Sequence, residues 1–133
     1  MNYVKINGVS FDVNVAISDY EENFNVLDGE NSGRVMTGRM IRDVIGTYIG
    51  HKITFFSKGG EAGNAAFDAL WDYLKTHSVD ESVMLEAVDG QSQIEYEAYY
   101  TSGTRRIKHV VDGVNYWDEL QVNFVPMEAQ ITP

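Results

Sequence analysis

The sequence predicts a mainly β fold of the α+β class, an antiparallel sandwich or barrel of hairpins flanked by one α-helix. Three observations predict it. Apolar residues recur at every second position over most of the chain, Asn-Gly and Asp-Gly pairs punctuate the alternating runs, and one segment alone switches to a helical period. The chain has 133 residues, 44% of them apolar, and only two prolines, which predicts a single domain over 1–133. A chain of that length buries enough surface to hold a core without staples.

The first strands are expected at 2–7 and 9–18, joined by the turn pair Asn7-Gly8. In the second, Phe11, Val13, Val15 and Ile17 alternate with Asp12, Asn14, Ala16 and Ser18, the pattern of a half-buried strand. Further strands are expected at 22–27, 34–45 and 48–57. Met40, Ile41, Val44, Ile45 and Tyr48 would also fit a helical stripe. Gly38, Gly46 and Gly50, with the β-branched content, weigh toward strands and a bulge at Gly46.

A helix is predicted over about 64–77. Phe67, Leu70, Trp71 and Leu74 fall at i, i+3, i+4 and i+7, a single apolar stripe suited to covering one sheet face. Asn64 is the expected N-cap, with Asp68 near the positive dipole end and Lys75 and His77 at the negative end. Strands return at 82–88, 93–101, 104–111 and 114–125, with turns at Asp89-Gly90 and Asp112-Gly113. Pro126 ends the last of them, so a short irregular tail is expected from about 126, lying on the surface or against a neighbour.

The chemistry is bounded mostly by exclusion. With no cysteine, disulfides, thiolate metal sites, iron–sulfur clusters and cysteine nucleophiles are excluded. No apolar run approaches the ~20 residues of a membrane-spanning helix. The opening MNYVKINGVSFDV alternates from the start, without a signal-peptide core, so the expectation is a soluble domain made in a cytoplasm. Twenty acidic against ten basic residues give a net charge of −10. Such a chain is expected to avoid nucleic-acid backbones and anionic membranes.

No catalytic, cofactor-binding or metal-binding residue stands out. Asp28-Gly29-Glu30-Asn31-Ser32-Gly33 imitates the start of a calcium loop, but Arg39 occupies the twelfth position, where a bidentate Glu belongs. It reads as a connection between strands. His51, His77 and His109 lack metal-ligand spacing and read as surface or strand-end histidines. The pairs Glu21-Glu22, Asp80-Glu81 and Asp118-Glu119 do not make carboxylate dyads, because adjacent strand residues point to opposite faces. Tyr96, Tyr99, Tyr100, Tyr116 and Trp117 could stack a sugar, or could simply pair across strands. Arg105, Arg106 and Lys108 form a basic segment too short for a nucleic-acid footprint, better suited to balancing local acid.

The charge is unevenly spread. Residues 34–58 carry Arg34, Arg39, Arg42, Lys52 and Lys58 against Asp43 alone, while 60–103 carry Lys75 against nine acids. Such asymmetry suits a self-complementary protomer whose basic edge meets a neighbour's acidic edge in a ring or stack. Arg34, Arg39, Arg42 and Lys52, facing Glu95 and Glu97, are the candidate interface residues.

Three segments carry a resemblance: NVLDGENSGRVMTGRMIRDVIGTYIGHKITF (25–55), FDALWDYL (67–74) and YWDELQVNFVPMEAQ (116–130). Their order and wording resemble small tail structural proteins of tailed bacteriophages and prophages of Gram-positive bacteria. The resemblance implies a tail-tube-like fold, an antiparallel sandwich or barrel with one flanking helix that assembles in rings. It implies a homo-oligomer in the virion tail, assembled in the host cytoplasm, that contacts other tail proteins, has no enzymatic activity and needs no cofactor. DNA would at most pass through an acidic lumen without specific binding. The alternative expectation is a β-sandwich module binding carbohydrate on a host surface.

Overall fold

The computed structural model describes residues 4–133, apart from the side chains of residues 16–19. The strands are β1 (Lys5–Ile6), β2 (Asn14–Asp28), β3 (Gly33–Arg34), β4 (Met40–Ile41), β5 (Val44–Phe56), β6 (Val83–Asp89), β7 (Ser92–Tyr99), β8 (Gly103–Val111) and β9 (Val114–Pro126). The helix α1 (Gly60–Thr76) lies between β5 and β6 and runs into a 3-10 turn, His77–Val79. Seven strands form one antiparallel sheet, six in the order β1-β6-β7-β9-β5-β2 and the seventh, β8, paired with β9 off this path, while β3 and β4 make a small separate hairpin. This is the mainly β, α+β architecture expected, a curled antiparallel sheet with one helix on its inner face.

β9 organises the sheet. Its last two residues pair with β7, residues Leu120–Phe124 pair with β5, and the stretch Val114–Val122 pairs with β8 on the other side from β5. The strands β8, β9, β5 and β2 therefore form a continuous four-stranded stretch bounded by β8 on one side and β2 on the other.

The inner face follows from the period of two. His51, Ile53 and Phe55 on β5 join Leu120, Val122 and Phe124 on β9, Val83, Leu85 and Ala87 on β6, and Tyr96 and Ala98 on β7. Phe67, Leu70 and Leu74 of the helix close over them. Each such apolar side chain contributes roughly 1.5–3 kcal/mol on burial. Trp71, the fourth member of the expected stripe, is only half-buried at the rim of this core.

Several boundaries differ from the sequence expectation. The helix begins at Gly60, because Gly59 and Gly60 both adopt positive φ and turn the chain into it early. Asn64 is consequently inside the helix and does not cap it, and its buried Oδ1 has no hydrogen-bond partner. Glu61 occupies the first turn instead, while Asp68, two turns along, pairs with Arg105 at 2.9 Å. The expected strands 9–18 and 22–27 merge into one strand, β2, which starts only at Asn14 and leaves Phe11 and Val13 in the irregular segment before it, with a register irregularity between Val15 and Tyr20. The expected strand 34–45 divides into the tip hairpin and the start of β5, which runs on unbroken through the proposed boundary at 46–47. A bulge does occur at Gly46, where the register against β2 skips Ile45. Residues 2–3 of the first expected strand and the inward face expected for Ile17 lie outside the described residues.

Past Pro126 the tail folds back onto its own chain. Thr47 N–H donates to the Ile131 carbonyl at 2.8 Å, and Gln130 N–H donates to the Thr47 carbonyl at 3.1 Å. The Gln130 side-chain amide brackets Ile49, its Oε1 accepting from Ile49 N–H and its Nε2 donating to Ile49 C=O, both at 2.9 Å. The tail thereby covers the part of the β5 edge that β9 is too short to reach.

Candidate assembly surfaces

The long antiparallel pairing of β2 with β5 continues past the core as an arm, since the β5 partners of Asn23–Asp28 all precede His51, with the tail along its β5 side at Thr47 and Ile49. Its far end is held by polar contacts. Arg42 donates to the Asp28 carboxylate at 2.8 Å, and Asp43 N–H donates to Ser32 Oγ at 2.7 Å. Gly29 packs close to Asp43, whose carboxylate would have to turn aside for a Cβ there, 2.6 Å away. The β3–β4 hairpin crowns the arm; Val35 N–H donates to the Arg39 carbonyl, and Arg34 Nη1 donates to that of Gly38. The loop 28–33 is the strand connection its sequence suggested, with Asp28 engaged by Arg42.

Much of the apolar content of this arm is exposed among the described residues. Phe24 is 72% exposed and Met36 is fully exposed, and Leu27, Val35, Met40, Ile41 and Ile45 also face outward. A second projection, the far end of the β8–β9 hairpin around the Asp112-Gly113 turn, exposes Ile107, Val110, Val111 and Val114. Scattered apolar residues are ordinary on a surface, whereas clusters of them on projecting ribbons are uncommon in a protein that stays alone.

At the base of the arm lies a polar cluster that the sequence reading missed. His51 is fully buried, with Nε2 3.0 Å from Glu22 Oε2 and 3.0 Å from the Val88 carbonyl, and Nδ1 2.7 Å from the Tyr96 hydroxyl. Both partners of Nε2 are acceptors, so this nitrogen carries the proton, and Nδ1 accepts from Tyr96 in the neutral tautomer. Val88 N–H in turn donates to the Tyr20 hydroxyl at 2.8 Å. The end of β6 is thus tied to β5 and β2, neither of which neighbours it in the sheet, so side chains close the curl that backbone pairing leaves open. Burial raises the pKa of Tyr20 and Tyr96 and that of Glu22, whose rise Asp89 reinforces and His51 opposes. A tyrosine so held is a poor nucleophile; the cluster fastens strands. The missed signal was parity: His51 shares the even spacing of Ile53 and Phe55 and so belongs to the inner face.

The other histidines are peripheral, as expected. His77 pairs with Asp80 at 2.7 Å, and His109 stacks on Tyr116 with centroids 4.8 Å apart. The five C-terminal aromatics do not form one platform. Tyr96 joins His51, Tyr100 donates to the Leu74 carbonyl at 2.6 Å, Tyr99 faces outward, Tyr116 meets His109, and Trp117 stacks on Arg105. The Arg105 guanidinium sits between Trp71 and Trp117 at 4.5 and 4.4 Å, pinning the helix to β8 and β9. Below it a small groove of about 210 Å³ is lined by Trp71, Leu74, Tyr100, Gly103, Leu120 and Val122.

The candidate interface residues are dispersed. Arg34, Arg39 and Arg42 share the arm end, with Arg42 paired to Asp28. Lys52 lies on β5, an interior strand, flanked in register by Glu21 and Asn123. Glu95 and Glu97 lie on β7, opposite Glu86 and Met84, and Glu97 accepts from the Ser82 hydroxyl. The basic segment 34–58 is therefore not one continuous sheet edge, and the longest strands paired on one side are β2 and β8. Among the described residues no group of three or more His, Cys, Asp or Glu is placed to hold a metal ion. No described helix is long and apolar enough to cross a membrane. The chain matches no protein-family model, and no curated protein matches it.

Proposed function

We propose that this chain is a non-enzymatic structural protein of a bacteriophage tail, which self-associates into a ring or tube and contacts neighbouring tail proteins. The observation that carries the reading is the β2–β5 arm, whose projecting apolar side chains, Phe24 and Met36 foremost, are left largely exposed by the described residues. From Thr47 outward to its tip the arm is a ribbon of two strands, which draws little stability from itself. Covering its apolar face with a second copy or a companion protein supplies what the single chain lacks. The resemblance of segments 25–55, 67–74 and 116–130 to tail proteins supplies the setting, a virion tail assembled in the host cytoplasm. A net charge of −10 suits a lumen through which DNA passes without adhering. The carbohydrate-binding reading gains no support, because its aromatics are spread over separate parts of the fold.

Particles released by the strain that encodes the chain test this. An antibody against the chain is expected to decorate the tails in electron micrographs; particles that lack the chain altogether would exclude the tail assignment.

A further inference from the structure

Resting on the self-association reading, we infer that copies join by adding the β8 edge of one to the β2 edge of the next, in a register set by opposite charge. The two strands bound the same four-stranded stretch, and among the described residues each is paired on one side only, β2 with β5 and β8 with β9. β2 is fifteen residues long and β8 nine, long enough for an extended ladder of backbone hydrogen bonds. β2 contains Asp19, Glu21, Glu22 and Asp28 and no basic residue. β8 contains Arg105, Arg106 and Lys108 and no acidic one. The chain thus has one acidic and one basic border.

Direction agrees. β2, β5, β9 and β8 alternate antiparallel, so β2 and β8 run oppositely and the added pair is antiparallel too. Such a contact is heterologous, using a different patch on each partner, and it closes as a ring when the rotation allows.

The charges also fix a displacement. Through Lys52, Glu21 is level with Asn123 of β9, whereas Arg106 is level with Asp118, five positions earlier. Because β9 bulges between Asp118 and Gln121, bringing Arg106 beside a neighbour's Glu21 shifts each copy by about 13–16 Å along the strands for every four strands, about 19 Å, crossed. That slope is a strand tilt of about 35–40°, inside the range of closed barrels. The groups involved are available: Arg106 and Lys108 side chains are 79% and 65% exposed, and their own acidic neighbours stand off at 4.0 and 3.9 Å.

Complementary charge reversal tests the edge assignment. Purified wild-type protein, E21K, R106E/K108E and an equimolar mixture of the two variants are compared by sedimentation velocity, with circular dichroism checking the fold. Wild type is expected to associate. Each variant alone, with like charges brought together at the Glu21–Arg106 contact, is expected to associate about tenfold or more weakly, and the mixture to recover as an alternating assembly. Variants that associate like wild type, or a mixture that stays dissociated while wild type assembles, would overturn the edge assignment and leave self-association standing. A wild-type chain that never associates would remove both. If R106E/K108E does not fold, R106Q/K108Q takes its place, with weakened association expected and wild-type association overturning the assignment.

Discussion

The Tyr96 hydroxyl donates across 2.7 Å to Nδ1 of His51, at the point where the curled sheet closes. The bond links β7 to β5, while His51 passes on to Glu22 of β2 and the Val88 carbonyl of β6. Tyr96→Phe leaves Nδ1 buried without a donor, and is expected to cost about 1–3 kcal/mol in denaturant unfolding. An unchanged unfolding midpoint would show that the latch is not under load.

Arg105 provides the second clamp. Its planar group lies between two indoles and reaches Asp68, a geometry that lysine does not reproduce. Arg105→Lys is expected to lower stability by about 1–2 kcal/mol and to shift tryptophan fluorescence. The fluorescence change separates loss of the stack from a general loosening.

The helix stripe grades by burial. Phe67→Ala and Leu70→Ala, at positions wholly enclosed by the core, are expected to cost about 2–5 kcal/mol. Trp71→Ala is expected to cost less than Phe67→Ala, because its ring lines an open groove. Thermal or denaturant unfolding of the three variants gives the order directly.

Much of this architecture was legible because strands and helix obey different periods. The alternation in 114–125 and the Asp112-Gly113 pair marked the β8–β9 hairpin, and the Phe67–Leu74 spacing marked the helix. The helix start was not legible, since Gly59 and Gly60 act through positive φ rather than through a capping side chain. The surfaces were less visible still. Arg34 to Lys52 form a charge run in sequence, but β5 is threaded between β2 and β9, which makes its centre an interior strand. Which strands become borders is decided by long-range pairing, and local pattern carries no record of that.

Alkaline pH is expected to weaken the fold. Burial pushes Tyr100 up to about 12, with Asp80 and Tyr73 adding to it, and burial also raises Tyr20 and Tyr96. Above the ordinary value of about 10 the unfolded chain releases protons that the native chain retains, so stability falls as pH rises. The contribution of Tyr100 is intact below about 10 and is lost as pH climbs through about 12. Tyr100→Phe forfeits its bond to the Leu74 carbonyl, about 1 kcal/mol, and flattens that decline in unfolding measured from pH 8 to 12.

The arm separates folding from association. Met36→Ser and Phe24→Ser remove exposed apolar groups, so the unfolding free energy is expected to stay within about 0.5 kcal/mol of wild type. Association is expected to drop in both. Variants that unfold more easily yet still associate would assign these side chains to the protomer's own core.

The most direct measurement is the mass of the purified chain in solution across a wide concentration range, by light scattering with imaging of the same sample. A defined multiple of the 15.0 kDa protomer, seen as rings or tubes, is the predicted result. A single-protomer mass at every concentration, with no assembled particles in the images, would contradict a subunit built to be covered by its own copies.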